Sequence, residues 1–286
     1  MAGRASHHSG SAPRLEPVPD VPALRLTGPD SDDDPTVLIA DLHLGLGALP
    51  DRPGGPPEGS PDRLADRTLN VLDRAGARHL VIAGDVKHPI VGTPPALRPL
   101  LFDFFGRVLE AGHEVEVVLG NHDVGLTRWL PREVAVHPAA GIVRHGVGIF
   151  HGHRWPSNAV LRSAAVVAGH LHPGFRLAPS PDDPSGKRPC WVRVRRAPTR
   201  PRAHRRRRRA PLAAREVVIL PPFNPLAGIE ALNRERPARG RSFLFGRFLS
   251  DGEARAYLLD GTDLGRIPTG PSREASRATT RARPGR

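Results

Sequence analysis

Five short strings in this 286-residue chain gather the residue types that hold divalent cations. They are Asp41-Leu-His43, Gly84-Asp85-Val-Lys87-His88, Gly120-Asn121-His122-Asp123, His151-Gly-His153-Arg154 and Gly169-His170-Leu-His172. Carboxylate, amide and imidazole groups are all metal ligands, and seven of the 14 histidines fall inside these strings. A single histidine of this kind is most simply a hydrogen-bonded structural residue. Five such strings in succession, each directly after an apolar run, are not explained that way. Asp41 and His43 stand two residues apart, so in an extended strand end both side chains point to one side. The same spacing recurs in His151 and His153 and in His170 and His172. No covalent nucleophile competes for the chemistry. There is no Gly-x-Ser-x-Gly elbow, and the one cysteine, Cys190, excludes a disulfide framework and a cysteine-based zinc site.

The elements that must position these residues can be read from the apolar pattern. Residues 36–40, 79–83 and 115–119 are short, mostly apolar segments with the length of buried strands. Between them lie helical stretches, residues 63–75 with Leu64, Leu69 and Leu72 on one side, and a second from Leu97 that stops before Gly112. Shorter strands follow at 134–136, 142–144, 147–150 and 165–168, with a short helix expected to be N-capped by Ser157. Further strands are expected at 190–194, 216–220 and 256–260. Each string sits where a strand ends, which is where an open α/β sheet builds its site. Alternating strand and helix predicts an α/β layered sheet.

Composition bounds the rest. The chain has 33 Pro and 30 Gly, nearly double the usual combined share of roughly 12%, so much of it is loop or tail. We expect a Pro-, Ser- and Asp-rich disordered leader over residues 1–34, one domain over 35–268, and a low-complexity disordered tail over 269–286. No apolar run approaches the ~18 residues of a membrane span, and the first ten residues carry no apolar core of a signal peptide. A cytoplasmic protein is expected. Charge is uneven: 17 basic against 19 acidic residues up to position 180, and 25 against 10 after it. An Arg- and Pro-rich insertion spans about residues 195–215 and contains the run Arg205, Arg206, Arg207, Arg208 and Arg209. Such a run either contacts a polyanion, since phosphate neutralisation supplies most non-specific nucleic-acid affinity, or is a solvated insertion. It has no aromatic residues to stack bases.

The order and content of the five strings resemble those of the calcineurin-like metallophosphoesterases. Ala40-Asp-Leu-His-Leu-Gly45, Gly84 to His88, Gly169-His-Leu-His-Pro173 and the later Leu220-Pro-Pro-Phe-Asn-Pro-Leu226 are similar to the small stand-alone branch related to the SbcD-type DNA-repair nuclease. The resemblance implies a four-layer α/β/β/α sandwich carrying two divalent metal ions. By motif position, Asp41, His43, Asp85 and His172 would hold the first. Asp85 would bridge to the second, completed by Asn121, His151 and His170. His122 matches the catalytic histidine, and Asp123 the acid that orients it. Lys87 and His88 are candidates for substrate contact or for orienting ligands. His153 is a candidate for support behind the ligands, and Arg154 for binding phosphate.

The implied activity is hydrolysis of a phosphate ester, most naturally a phosphodiester in nucleic acid or a nucleotide, by a metal-bridging hydroxide. Two divalent ions against Asp41 and Asp85 leave about +2, which suits the negative transition state. Imidazole-rich ligation favours Mn, Fe, Zn, Co or Ni over Mg, with Mn preferred for an assay. A small-molecule phosphatase and a metal-binding scaffold with vestigial catalysis are the alternatives.

Overall fold

In the computed structural model, residues 12–29, 34–46, 59–179, 185–196, 212–233 and 252–267 are described. Their β-strands form two sheets. The first has six strands in the spatial order β1 (Arg14–Pro17), β2 (Leu24–Thr27), β3 (Thr36–Ile39), β4 (His79–Ile82), β5 (Glu114–Val118) and β6 (Ala135–His137). β3 to β6 are parallel, and β1 and β2 add an antiparallel edge. The second sheet contains β7 (Ile142–Arg144), β8 (Val147–Phe150), β9 (Ala165–Ala168), β10 (Pro173–Arg176), β11 (Lys187–Arg195), β12 (Glu216–Ile219) and β13 (Glu230–Ala231). They lie in the order β13-β10-β11-β12-β9-β8-β7, with β14 (Glu253–Leu258) on β11 and β15 (Asp263–Arg266) on β14.

The central strands are buried on both faces, which is why they read as unbroken apolar runs rather than as alternations. In β3, Val37 and Ile39 face the helices α1 (Pro61–Ala75) and α2 (Leu97–Glu110), against Leu64, Leu72, Leu101, Phe104 and Phe105. Leu38, between them, faces the other sheet, where Val81 and Val118 meet Ile149, Val167, Trp191 and Val218. The outer face of the second sheet buries Phe150, Val166, Val192 and Ile219 with Val160 and Leu161 of the short helix α3 (Asn158–Arg162). Three apolar layers thus separate four layers of structure in the order α/β/β/α, as expected. The outermost layer beside the second sheet is thin, since α3 has only five residues.

Local signals set the helix ends. Ser60 caps α1 with its hydroxyl accepting from Arg63 N, Pro61 takes the first turn, and Gly76 closes it at φ 59°. Ser157 caps α3 by accepting from Val160 N, as its sequence position predicts.

The leader expected over residues 1–34 needs correcting. β1 and β2 lie within it and pair as a hairpin on the edge of β3, burying Leu15, Leu24 and Leu26 between the sheets. Four-residue strands set among Pro13, Pro17, Pro19 and Pro22 are too short to show a period, and an edge position tolerates proline. The N-terminal residues 1–11, the tail 269–286 and the arginine run Arg205 to Arg209 lie outside the described residues. No helix among the described residues is long and apolar enough to cross a membrane.

Candidate metal centre

All five strings meet at one place, beyond the C-terminal ends of β3, β4, β5, β8 and β9. The loops after β3 and β4 are zipped together: Asp41 N donates to Gly84 O at 3.0 Å, His43 N to Asp85 O at 2.9 Å and Leu44 N to Val86 O at 2.7 Å. Gly169 N in turn donates to His151 O at 2.9 Å.

The side chains do not converge by the extended alternation that the spacing suggested. Asp41 (φ 59°), His43 (φ 43°), Asp85 (φ 54°), His170 (φ 72°) and His172 (φ 43°) are all left-handed. Asp41-Leu-His43 and His170-Leu-His172 share one pattern, with left-handed residues flanking an ordinary leucine. A β-strand would continue past the site; this alternation curls the chain, so that both polar side chains turn in while Leu42 is buried. Five of the seven non-glycine residues with positive φ among the described residues belong to the centre. Left-handed backbone is strained for such residues and concentrates at functional sites.

Close approach also depends on glycine. A Cβ on Gly84 would collide with the His151 ring, and one on Gly120 with the Asp85 carboxylate and backbone. In each case the glycine of one string makes the room that a ligand-type side chain of another occupies.

The assembled side chains form three groups, each with ligand atoms within 4.8 Å of one another: two that pair an aspartate with histidines, Asp41, His43 and His172, and Asp85, His151 and His170, and a third of histidines alone, His43, His88 and His122. His43 Nε2 lies 3.2 Å from His172 Nε2, and His172 Nε2 3.3 Å from Asp41 Oδ1. Asp85 Oδ2 stands between the groups, 3.2 Å from His151 Nε2 and 3.9 Å from His43 Nε2. Two ring orientations are set from behind. His151 Nδ1 donates to Ala83 O and His172 Nδ1 to Gly228 O, both at 2.8 Å, which turns each Nε2 toward the centre.

Two ligand-type atoms here have no protein partner: Asn121 Oδ1 and His43 Nδ1 are buried without a hydrogen bond. Buried polar atoms are otherwise almost always satisfied. Oxygen and imidazole donors within a few ångströms, some of them orphaned, fit divalent cations with nitrogen ligands at roughly 2.0–2.1 Å.

The remaining string residues take distinct places. His122 Nε2 lies 3.8 Å from Asp85 Oδ2, its backbone N donates to Asp85 Oδ1 at 2.9 Å, and its Nδ1 donates to His88 O. The Asp123 carboxylate does not touch the His122 ring, contrary to the orienting role implied by the resemblance. It accepts from the backbone N–H groups of Gly120 (2.8 Å), Asp85 (2.9 Å), Val86 (2.9 Å) and Lys87 (3.3 Å). Four amides saturate it, so the His88 carbonyl takes the place at the imidazole. His88 is exposed, with its ring stacked 5.9 Å from that of His122. Lys87 is fully buried and its ammonium donates to Pro89 O, which places it behind the loop. His153 is half-buried, with its ring 5.4 Å from that of His151, and Arg154 is exposed. Gly228 had no signal in the sequence, because what it contributes is a backbone carbonyl.

Without a cation the centre holds its charge in pairs. Burial alone would lower His151, but Asp85 and Asp41 outweigh it and hold its pKa at about 9. His172 is likewise raised, against burial, by its hydrogen bond to Asp41. Burial would raise Asp41 and Asp85, yet Asp41 is lowered by His172 and Asp85 by His151. Burial takes His43 and His170 down to about 4, the His151 charge adding to the effect at His170. Asp123, buried and beside Asp85, is raised despite its amide donors.

Fold and site together define a class: a two-sheet α/β/β/α protein with a paired Asp/His centre at the strand ends. That is the form the resemblance to the calcineurin-like metallophosphoesterases implies. Among solved structures the chain is similar to the nuclease MPE of Pseudomonas putida, with 18% identity and a TM-score of 0.47 over 88% of this chain and 100% of that one. It is also similar to Yfce, a phosphoesterase from E. coli, with 15% identity and a TM-score of 0.34 over 82% of this chain and 99% of that one. No family model matches the sequence, and no curated protein matches it.

Proposed function

We propose that the chain is a dinuclear-metal phosphoesterase acting on phosphodiesters. One observation carries this reading: ligand-type side chains from separate loops form two Asp/His groups with the Asp85 carboxylate reaching from one to the other. Asp41, His43, Asp85 and His172 would hold one divalent ion, and Asp85, Asn121, His151 and His170 the other. When bound, the two ions would polarise the phosphoryl oxygens and lower the pKa of water in the site. The imidazole-rich set suits Mn, with Fe, Zn, Co or Ni as alternatives.

The chain's own residues supply position and a proton. Asp123 binds the backbone at Asp85, fixing the carboxylate that both ions would share. His122 faces the same carboxylate, and its Nδ1–H is held by the His88 carbonyl, so Nε2 is the atom that meets substrate. A proton on Nε2 would pass to the leaving oxygen as the P–O bond breaks. Nucleic acid or a nucleotide is the substrate class we favour. The support is the excess of basic residues after position 180, 25 against 10, and the run Arg205 to Arg209, which would contact phosphates.

The test is hydrolysis of bis(p-nitrophenyl) phosphate and of p-nitrophenyl phosphate with Mn²⁺, comparing wild type with Asp85→Asn. Diester cleavage that disappears in the variant is expected. Preference for the monoester would make the chain a phosphomonoesterase, and no cleavage of either ester with any of the five metals would overturn the enzymatic reading.

A further inference from the structure

The string Leu220-Pro-Pro-Phe-Asn-Pro-Leu226 contains none of the residues assigned to the centre, yet it runs directly beneath half of it. Phe223 N donates to Ala40 O at 2.8 Å, at the point where β3 ends. Asn224 is fully buried, and its Nδ2 donates to Leu42 O at 2.8 Å. That carbonyl belongs to the residue between the left-handed Asp41 and His43. Asn224 Oδ1 accepts from Leu226 N at 2.9 Å, so both ends of the amide are used and its orientation is determined. Four residues further on, Gly228 O receives His172 Nδ1, and Glu230 N donates to His172 O, each at 2.8 Å. The segment is itself anchored to α1, where Arg67 Nη1 donates to Phe223 O at 2.9 Å and the guanidinium lies 4.9 Å over the Phe223 ring.

One continuous segment therefore grips both strained loops that carry Asp41, His43 and His172. The other group is anchored elsewhere: His151 on the Ala83 carbonyl and Asp85 on the Asp123 carboxylate. We propose that residues 220–230 form a strap, with Asn224 as its positioning residue, that sets the geometry of one of the two cation positions more strongly than that of the other, which it reaches only through His170 and the Asp85 loop. The strap works through the backbone. A left-handed residue on either side of Leu42 leaves its carbonyl buried and in need of a donor, and Asn224 supplies that donor from outside the loop. Aspartate has the same shape as asparagine but no N–H, so it cannot make this bond at neutral pH.

This inference rests on the dinuclear reading, and the experiment separates the two. Mn²⁺ is titrated calorimetrically into the full chain after EDTA treatment, for wild type, Asn224→Asp and Asn224→Ala. The expected wild-type isotherm has two sites. In both variants one site should weaken by roughly 10–100-fold, the range for groups that orient ligands, with the second weakened distinctly less and turnover restored at saturating Mn²⁺. Should the Asn224 variants not fold, Arg67→Met loosens the strap from α1 and should weaken the same site by a smaller factor. Two wild-type affinities in the variants, or equal weakening of both sites, would overturn the strap alone. A wild-type chain that takes up no Mn²⁺ would overturn the dinuclear reading and the strap with it.

Discussion

The carboxylate of Asp123 accepts the backbone N–H of Asp85 at 2.9 Å and so ties the loop after β5 to the loop after β4. With Val86, Lys87 and Gly120 also donating to it, Asp123 → Ala strands up to four buried amides. A buried unsatisfied donor costs about 1–3 kcal/mol, and water would recover part of that. Urea denaturation of the metal-free protein should show a loss of about 3 kcal/mol or more, with Asp123→Asn intermediate. A loss under about 1 kcal/mol would mean the amides find other partners.

Gly120 makes room for Asp85. Its backbone is not left-handed, so Gly120→Ala tests pure steric exclusion: the new Cβ would overlap the Asp85 carboxylate and its backbone nitrogen. The variant should bind Mn²⁺ more weakly at both positions, because Asp85 serves both, and should melt at lower temperature. Unchanged affinity at both positions would show that the Asp85 loop can shift without consequence.

His122 should be separable from metal binding. Acid–base groups contribute roughly 10²–10⁴-fold to rate, so His122→Ala should cut kcat by at least about 100-fold while Mn²⁺ stoichiometry stays at the wild-type value. Wild-type turnover in this variant would remove the proton-donor role.

Stability of the metal-free protein should fall in acid well before the carboxylates titrate. His43, His153 and His170 are held neutral down to about 4, chiefly by burial. Their unfolded counterparts titrate near 6.5, so the stability they contribute is present above that value and lost as pH falls from about 6.5 to 4. His151 acts in the opposite sense: with its pKa at about 9, its contribution is complete below 6.5 and lost as pH rises through 9. Thermal melts in EDTA should therefore peak near neutrality, and His170→Gln should flatten the acid limb. An acid limb of equal slope in wild type and variant would assign the effect elsewhere.

Metal uptake should release protons. Cations require a neutral His151, which in their absence holds its proton up to about 9. Mn²⁺ affinity should rise between pH 7 and 9, by up to about tenfold per unit for each proton displaced. Calorimetry in two buffers of different ionisation enthalpy counts those protons, and identical apparent enthalpies would show that none is released.

The sequence by itself determined which residues could carry the chemistry and the layering that presents them. The runs at residues 36–40, 79–83 and 165–168 are apolar without alternation because both faces of those strands are covered, and each ends in a string of ligand-type residues. Side-chain chemistry and local period are written in the chain, and they suffice for the order of the central strands and helices. Only the tertiary structure decided what depends on neighbours distant in sequence. Strands β1, β2, β10, β13 and β15 have two to four residues and no unbroken apolar run of their own, so no window of sequence shows them. The left-handed turns at Asp41-Leu-His43 and His170-Leu-His172 replace the extended geometry that their spacing suggested, because bonds to the Gly84 and Asp85 carbonyls and from the Asn224 amide hold the first, and bonds to the Asp41 carboxylate and from Glu230 N hold the second. Asp123 serves four amides rather than its neighbour His122 because strand pairing brings the Asp85 loop to it. The gathering of ligand-type residues into two Asp/His groups arises the same way: parallel pairing within each sheet and apolar packing between them set which loops meet.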